Sequence, residues 1–195
     1  VIAQAVAFVL DALFSLFILA VLVRFWMQVF RAPVRNPIAH FTIALTDFAV
    51  KPLRRVIPGL LKLDIASLLV AWFAEFLLQV LVLMVMGASV IERPGVLSVV
   101  LFLALVKLVR LSVYVFIGAI IIQAVLSWVA SYHPVAPFFD ALARPFLRPI
   151  QRAVPPIGGV DISPVLALIT LQLILMLPVT WLEAETGRIV ARAFL

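Results

Sequence analysis

Glu75 stands in the middle of a long apolar run, "IASLLVAWFAEFLLQVLVLMVMGASVI", that begins just after Asp64. About 16 Å of helical rise separates it from the start of that run. Its carboxyl therefore falls near the midplane of a hydrocarbon layer about 30 Å thick, where an ionisable group is costly and points to function by default. Gln79 follows one turn later on the same face, and Gln123, Gln172, Arg24 and Asp11 are further polar residues inside apolar runs. Arg24 lies seven residues before Arg31 and is expected to extend toward Glu75. Asp11, with Ser15 one turn on, is expected to meet Arg110 or Lys107. Two chemistries fit this set. One is intramembrane ion pairing and hydrogen bonding that holds a helix bundle together; the other is a proton- or cation-coupled path lined by Glu75, Gln79, Gln172 and Gln123.

A second set is basic. Lys51, Arg54 and Arg55 lie in "KPLRRVIPGLLKLDIAS", and Arg148 and Arg152 in "RPIQRAVPPIGGVDISP". Beside a membrane such side chains reach phosphate head groups, each contributing about 1 kcal/mol at an anionic surface. Asp64 and Asp161 close the two segments. Asp64 is placed to cap the next helix; in "DISP" Ser163 is the natural N-cap, Pro164 the first helical residue, and Asp161 a turn former.

Other chemistries lack their residues. There is no cysteine, which removes disulfides and thiolate metal sites. His40 and His133 have no third ligand set, so neither a metal nor another cofactor is expected. No nucleophile with its base, phosphate-cradling glycine loop or paired-carboxylate site is visible, and Gly158 and Gly159 read as a turn. The chain is expected to be non-enzymatic.

The elements that position these residues follow from composition. Of 195 residues, 66% are hydrophobic and 12% charged, with a mean hydropathy of +1.28. That marks an all-α integral membrane protein with about four transmembrane helices and no separate soluble domain. The first run, about Ala5 to Phe30, carries Asp11 and Arg24 and reads as a retained span rather than a signal peptide. The second follows Asp64 and stops at Glu92, Arg93 and Pro94. From Gly95 to Ala130 the pattern is too long for one ordinary crossing, so a span from Leu111 to Ser131 is expected, preceded by a shallow or tilted lead-in from Val96 to Arg110. The alternative is a fifth crossing. The last run starts at Val165 and is expected to kink at Pro178, with a short polar tail from Glu183.

The chain also repeats itself. An ungapped shift of 97 positions places Pro37 on Pro134, Phe41 on Phe138, Leu45 on Leu142, Pro52 on Pro149, Arg55 on Arg152, Pro58 on Pro155 and Asp64 on Asp161. This predicts two tandem parallel repeats, residues 1–94 and 95–195, each a span, an amphipathic interfacial elbow and a span. In the elbows Ile38, Phe41, Leu45 and Phe48, and then Phe138, Leu142, Phe146 and Ile150, form apolar stripes. Pro52 and Pro149 are expected to interrupt these helices, and Pro58 and Pro155 to stop them. The connectors hold Arg31, Arg35, Lys51, Arg54, Arg55 and Lys62, then Arg144, Arg148 and Arg152, whereas the turn between units holds only Arg93 beside Glu92. The positive-inside bias then puts both connectors in the cytoplasm and both termini outside.

The segments "LVRFWMQ", "NPIAHF", "KPLRRVIPG" and "LARPFLRPIQRAVPPIGGVDISP" resemble the YggT family, also called YlmG, across nearly the whole chain. The resemblance implies a bacterial inner-membrane protein linked to osmotic tolerance, division or nucleoid organisation. It carries over no catalytic residues and no settled substrate. Together these readings predict a scaffold or assembly factor whose basic elbows bind anionic lipid and membrane-protein partners, with a homo-oligomer allowed and no direct nucleic acid expected. The competing expectation is an oligomeric channel or transporter for ions or osmolytes, centred on Glu75.

Overall fold

Inside lipid, backbone polar groups must be satisfied within the chain, and for a sequence this apolar the helix is the local solution. The computed structural model describes residues 1–57, 64–88, 94–129, 132–154 and 161–192, which are helical apart from short turns. The order is α1 (Ile2–Val29), α2 (Pro37–Val56), α3 (Ile65–Val85), α4 (Pro94–Val129), α5 (Ala136–Ala153), α6 (Ser163–Ile174), a π-helical turn (Leu175–Val179) and α7 (Thr180–Arg192). Among the described residues, four rods are long and apolar enough to cross a bilayer: Ile2–Val29, Ile65–Val85, Gly95–Val129 and Ser163–Arg192. The expected count of about four spans therefore holds, with α2 and α5 as the amphipathic helices between them.

The expected lead-in does not exist. α4 runs unbroken from Pro94 to Val129. Lys107 and Arg110, which suggested the break, each meet a carboxylate on a neighbouring helix, Glu75 and Glu183. Their charges need no interruption of the rod. Nor is the segment a fifth crossing, because both elbow helices lie at one end of the bundle. Ala39 of α2 packs with Phe138, Ala141 and Leu142 of α5, around Met27 and Ala32 beside the end of α1 and Ala119 of α4. At the opposite end Val96 and Val100 of α4 pack with Val190 of α7, with Phe76, Val80 and Leu83 of α3 against them.

Between these ends α1 and α3 pack through Ile18, Val21 and Leu22 against Ala66, Ala71, Ala74 and Leu78. The alanines let the two backbones approach, as interfaces between membrane helices require. Leu108 and Val115 of α4 close the same core, while Phe116 and Ile120 on another face of α4 pack with Leu147 of α5, Leu171 of α6 and Val179. α4 thus belongs to both halves. Trp26 and Phe116 meet at 4.8 Å between ring centres, and Phe116 and Phe146 at 4.6 Å, tying α1, α4 and α5 together.

The prolines behave more mildly than expected. Pro52 lies inside α2, and Pro145 and Pro149 lie inside α5, without interrupting either helix. Pro52 and Pro149 each remove one intrahelical bond within about a turn of the C-terminal end, and the helices continue past them to Val56 and Ala153. Pro178 does not split its rod either; the chain widens into the π turn, and Thr180 Oγ1 donates to the Leu175 carbonyl at 2.8 Å. The polar tail from Glu183 continues as helix to Arg192. Pro58, Pro155, Lys62, Glu92, Arg93, Gly158 and Gly159 lie outside the described residues.

The two elbows turn different faces inward. In α5 Phe138 and Leu142 are buried and Phe146 and Ile150 half-buried, so the stripe packs on the bundle. In α2 Phe41 and Phe48 are 65% and 71% exposed, and the helix packs instead through Ala39, Thr42, Thr46 and Val50.

Candidate functional site

The densest polar chemistry lies where each elbow returns to a span. Asp64 caps α3, accepting from the Ser67 backbone N–H at 3.4 Å and from the Ser67 hydroxyl. The Arg54 guanidinium, in the last turn of α2, grips the same carboxylate in a two-pronged pair, with Nε at 3.0 Å from Oδ1. Burial alone would push the Asp64 carboxyl up, but the hydrogen bonds from Arg54 and Ser67 and the Arg54 charge outweigh it and hold the group below its ordinary value.

The second half has a similar clasp with an uncharged donor. Gln151, at the position matching Arg54, donates Nε2 to Asp161 Oδ2 at 2.9 Å, and the Ser163 backbone N–H donates to Asp161 Oδ1 at 2.8 Å. Hydrogen bonds from Ser163 and Gln151 keep this exposed carboxyl below its ordinary value as well. The helix starts one residue earlier than expected: Ser163 is its first residue, Ile162 takes the N-cap position, and Asp161 supplies the accepting side chain.

A third connection ties the first elbow to α1. Arg24 is 3% exposed. Its Nη1 donates to Thr46 Oγ1 at 2.8 Å and to Asp47 Oδ1 at 2.9 Å, and Lys51 Nζ takes the other Asp47 oxygen at 2.7 Å. The Lys51 hydrogen bond, aided by Arg24, holds the Asp47 carboxyl below its usual range. The expected Arg24–Glu75 pairing is absent for a geometric reason. Arg24 is five residues from the elbow end of α1 and Glu75 ten from that of α3, an axial offset of about 7 Å.

Glu75 instead meets Lys107 of α4 at 3.7 Å and accepts from Gln79 Nε2 at 3.3 Å. Both Glu75 and Gln79 are buried. Gln172, expected at the same depth, is exposed on α6, because α6 packs on α4 and α5 from outside whereas α3 lies between α1 and α4. Gln123 is half-buried on α4. The proposed polar rank is therefore not brought together. Asp11 is exposed and meets neither of its expected partners: Lys107 takes Glu75, and Arg110 takes Glu183 at 2.6 Å and Thr180 at 3.1 Å. Replacing Lys107 by methionine leaves the buried Glu75 without a counter-ion and is expected to cost about 1.5 kcal/mol in reversible unfolding, held down because the pair is long and Gln79 still serves the carboxylate. A Glu75→Leu/Lys107→Met double variant should return to near wild type.

Of the basic residues singled out from the sequence, Lys51 and Arg54 are engaged within the chain. Arg55, Arg148 and Arg152 are exposed and pair with no carboxylate among the described residues. Sequence reasoning missed Asp47, Thr46, Ser67 and Gln151. The last had a signal, since the shift that aligns Asp64 with Asp161 also aligns Arg54 with Gln151. His40 and His133 are both exposed, and no group of three His, Cys, Asp or Glu side chains gathers among the described residues.

Four apolar rods joined by two amphipathic helices at one end define a multi-span α-helical membrane protein. Residues 3–85 and 102–182 match the CCB3/YggT family model, and the chain belongs to that family. The matched stretches correspond to α1 through α3 and to most of α4 through α7. The chain is 39% identical over 185 residues to an uncharacterised protein of Pseudomonas aeruginosa, covering 94% of this chain and 92% of that one. It is 34% identical to an uncharacterised protein from the proC 3' region of Vibrio alginolyticus (87% and 90% covered) and 31% to the uncharacterised protein YggT of Escherichia coli K12 (89% and 88%). No solved structure matches.

Proposed function

We propose that this is a non-enzymatic inner-membrane scaffold or assembly factor, built as a tandem duplication of units 1–94 and 95–195, that grips anionic lipid and docks membrane-protein partners through its elbows. The supporting observation is the contrast between two sets of charges. Within the spans Glu75 is paired with Lys107 and Arg110 with Glu183, whereas Arg55, Arg148 and Arg152 are left exposed on elbows anchored by clasps. Rigid anchoring suits a docking element, because little ordering entropy is then lost on binding. Positive-inside bias places these elbows in the cytoplasm, where anionic lipid would meet them. Family resemblance links the scaffold to osmotic tolerance, division or nucleoid organisation.

The protein reconstituted in liposomes is expected to give no cation flux above protein-free vesicles, for wild type and for Glu75→Gln alike. In detergent it should retain anionic phospholipid in preference to zwitterionic. Flux that disappears in Glu75→Gln would replace the scaffold with an oligomeric channel. Epitope tags beside Pro58 and Pro155 should both be reached from the cytoplasm; tags on opposite faces would overturn the parallel topology.

A further inference from the structure

We infer that the phosphate-gripping site belongs to the second elbow alone, where Arg144, Arg148 and Arg152 form a ladder that takes the phosphodiester of an anionic lipid head group. The inference rests on the reading of the elbows as lipid-contacting and assigns that contact to one of them.

The three arginines stand four residues apart on α5, hence along one face. Together with Phe30, Pro145 and Pro149 they line a cleft of about 320 Å³. That is the small end of the range for bound small molecules. Arginine suits this role because its planar fork meets two phosphate oxygens at once. Phe30 belongs to the ring cluster with Trp26 and Phe116, so one wall of the cleft is fixed and apolar. An ion pair against such a wall is screened less than one in open water.

The matching positions of the first elbow explain why it is not an equal partner. There the ladder reads Asp47, Lys51 and Arg55. Asp47 pairs with both Lys51 at 2.7 Å and Arg24 at 2.9 Å, and Arg54 is held by Asp64. Of the lysines and arginines of α2, only Arg55 is without a carboxylate partner among the described residues. On α5 the one internal acid is Asp140, which pairs with Arg144 across one turn, both side chains being about half exposed. Arg148 and Arg152 keep their full charge toward the cleft.

The full chain in neutral detergent, titrated with phosphatidylglycerol or phosphatidylcholine and followed by native mass spectrometry, tests this. Wild type should favour phosphatidylglycerol by about tenfold. Arg148→Gln/Arg152→Gln should abolish the preference, Lys51→Gln/Arg55→Gln should leave it within about twofold, and excess inorganic phosphate should not displace the lipid. Asp140→Asn, which frees Arg144, should tighten binding, a gain that misfolding cannot imitate. Equal losses from the two elbow variants would overturn the second-elbow assignment while leaving the broader lipid reading intact. Absence of any preference in wild type would overturn both. Displacement by inorganic phosphate would overturn the lipid as source.

Discussion

Asp47→Ala should destabilise the protein by about 3 kcal/mol, the largest loss expected from truncating one partner of any ion pair among the described residues, because it leaves a buried arginine without its counter-ion. Arg24 is 3% exposed and keeps only the neutral Thr46 hydroxyl once the carboxylate is gone. A guanidinium lying between α1 and α2 cannot reach water without parting the two helices. The reverse truncation should be milder: in Arg24→Leu the partly exposed Asp47 still has Lys51. The double variant Arg24→Leu/Asp47→Ala should therefore recover most of the loss, since removing both charges removes the stranded one. Reversible unfolding in mixed micelles, followed by tryptophan fluorescence, measures all three. A double variant no better than Asp47→Ala would show that the carboxylate acts through some other contact.

Asp64→Ala comes next, with an expected loss of about 2 kcal/mol, combining a missing helix cap with a lost two-pronged ion pair. The same residue governs acid sensitivity. Because the folded carboxyl lies below its ordinary value, its contribution is fully present above the unfolded value of about 3.9 and fades as pH falls through the lower folded value. Wild type should thus hold its melting temperature from neutrality to about pH 5 and lose it below about pH 4, with Asp64→Asn less stable at neutral pH and less steep in acid. Asp161→Asn should show a smaller version of both effects, its carboxylate being exposed and its elbow partner an uncharged amide. Acid slopes identical for wild type and Asp64→Asn would sink this account.

The spans were legible because hydrophobicity and length act locally: each rod is a run of residues that lipid accepts. The elbow helices were legible from their apolar stripes, and their common location at one end from the lysines and arginines gathered in both connectors. What failed was the level at which one helix meets another. Arg24 and Glu75 looked like natural partners until the axial offset between α1 and α3 separated them, and no local signal records that offset. Arg54 read as a lipid contact because an arginine in a last helical turn has the same sequence whether it faces head groups or the returning chain. In α4 the charges of Lys107 and Arg110 suggested a break, though their partners Glu75 and Glu183 lie 32 and 73 residues away in opposite directions along the chain. The stripe of α2 was visible, but not that its phenylalanines turn outward, which follows from Thr46 and Asp47 being drawn inward by Arg24.

The length of α4 bears on how the protein sits in its membrane. At 21 residues α3 is about 32 Å long, close to the hydrocarbon thickness, whereas the 36 residues of α4 make about 54 Å. Even a tilt of about 40° would leave it spanning roughly 41 Å. Hydrophobic mismatch is therefore largest on this rod, whose end carries the widely exposed Trp128 and Val129. That rod also supplies Lys107 to one half and Phe116 to the other. A change in bilayer thickness is accordingly expected to act where the two halves pack together along α4, at a cost of a fraction of a kcal/mol for each ångström.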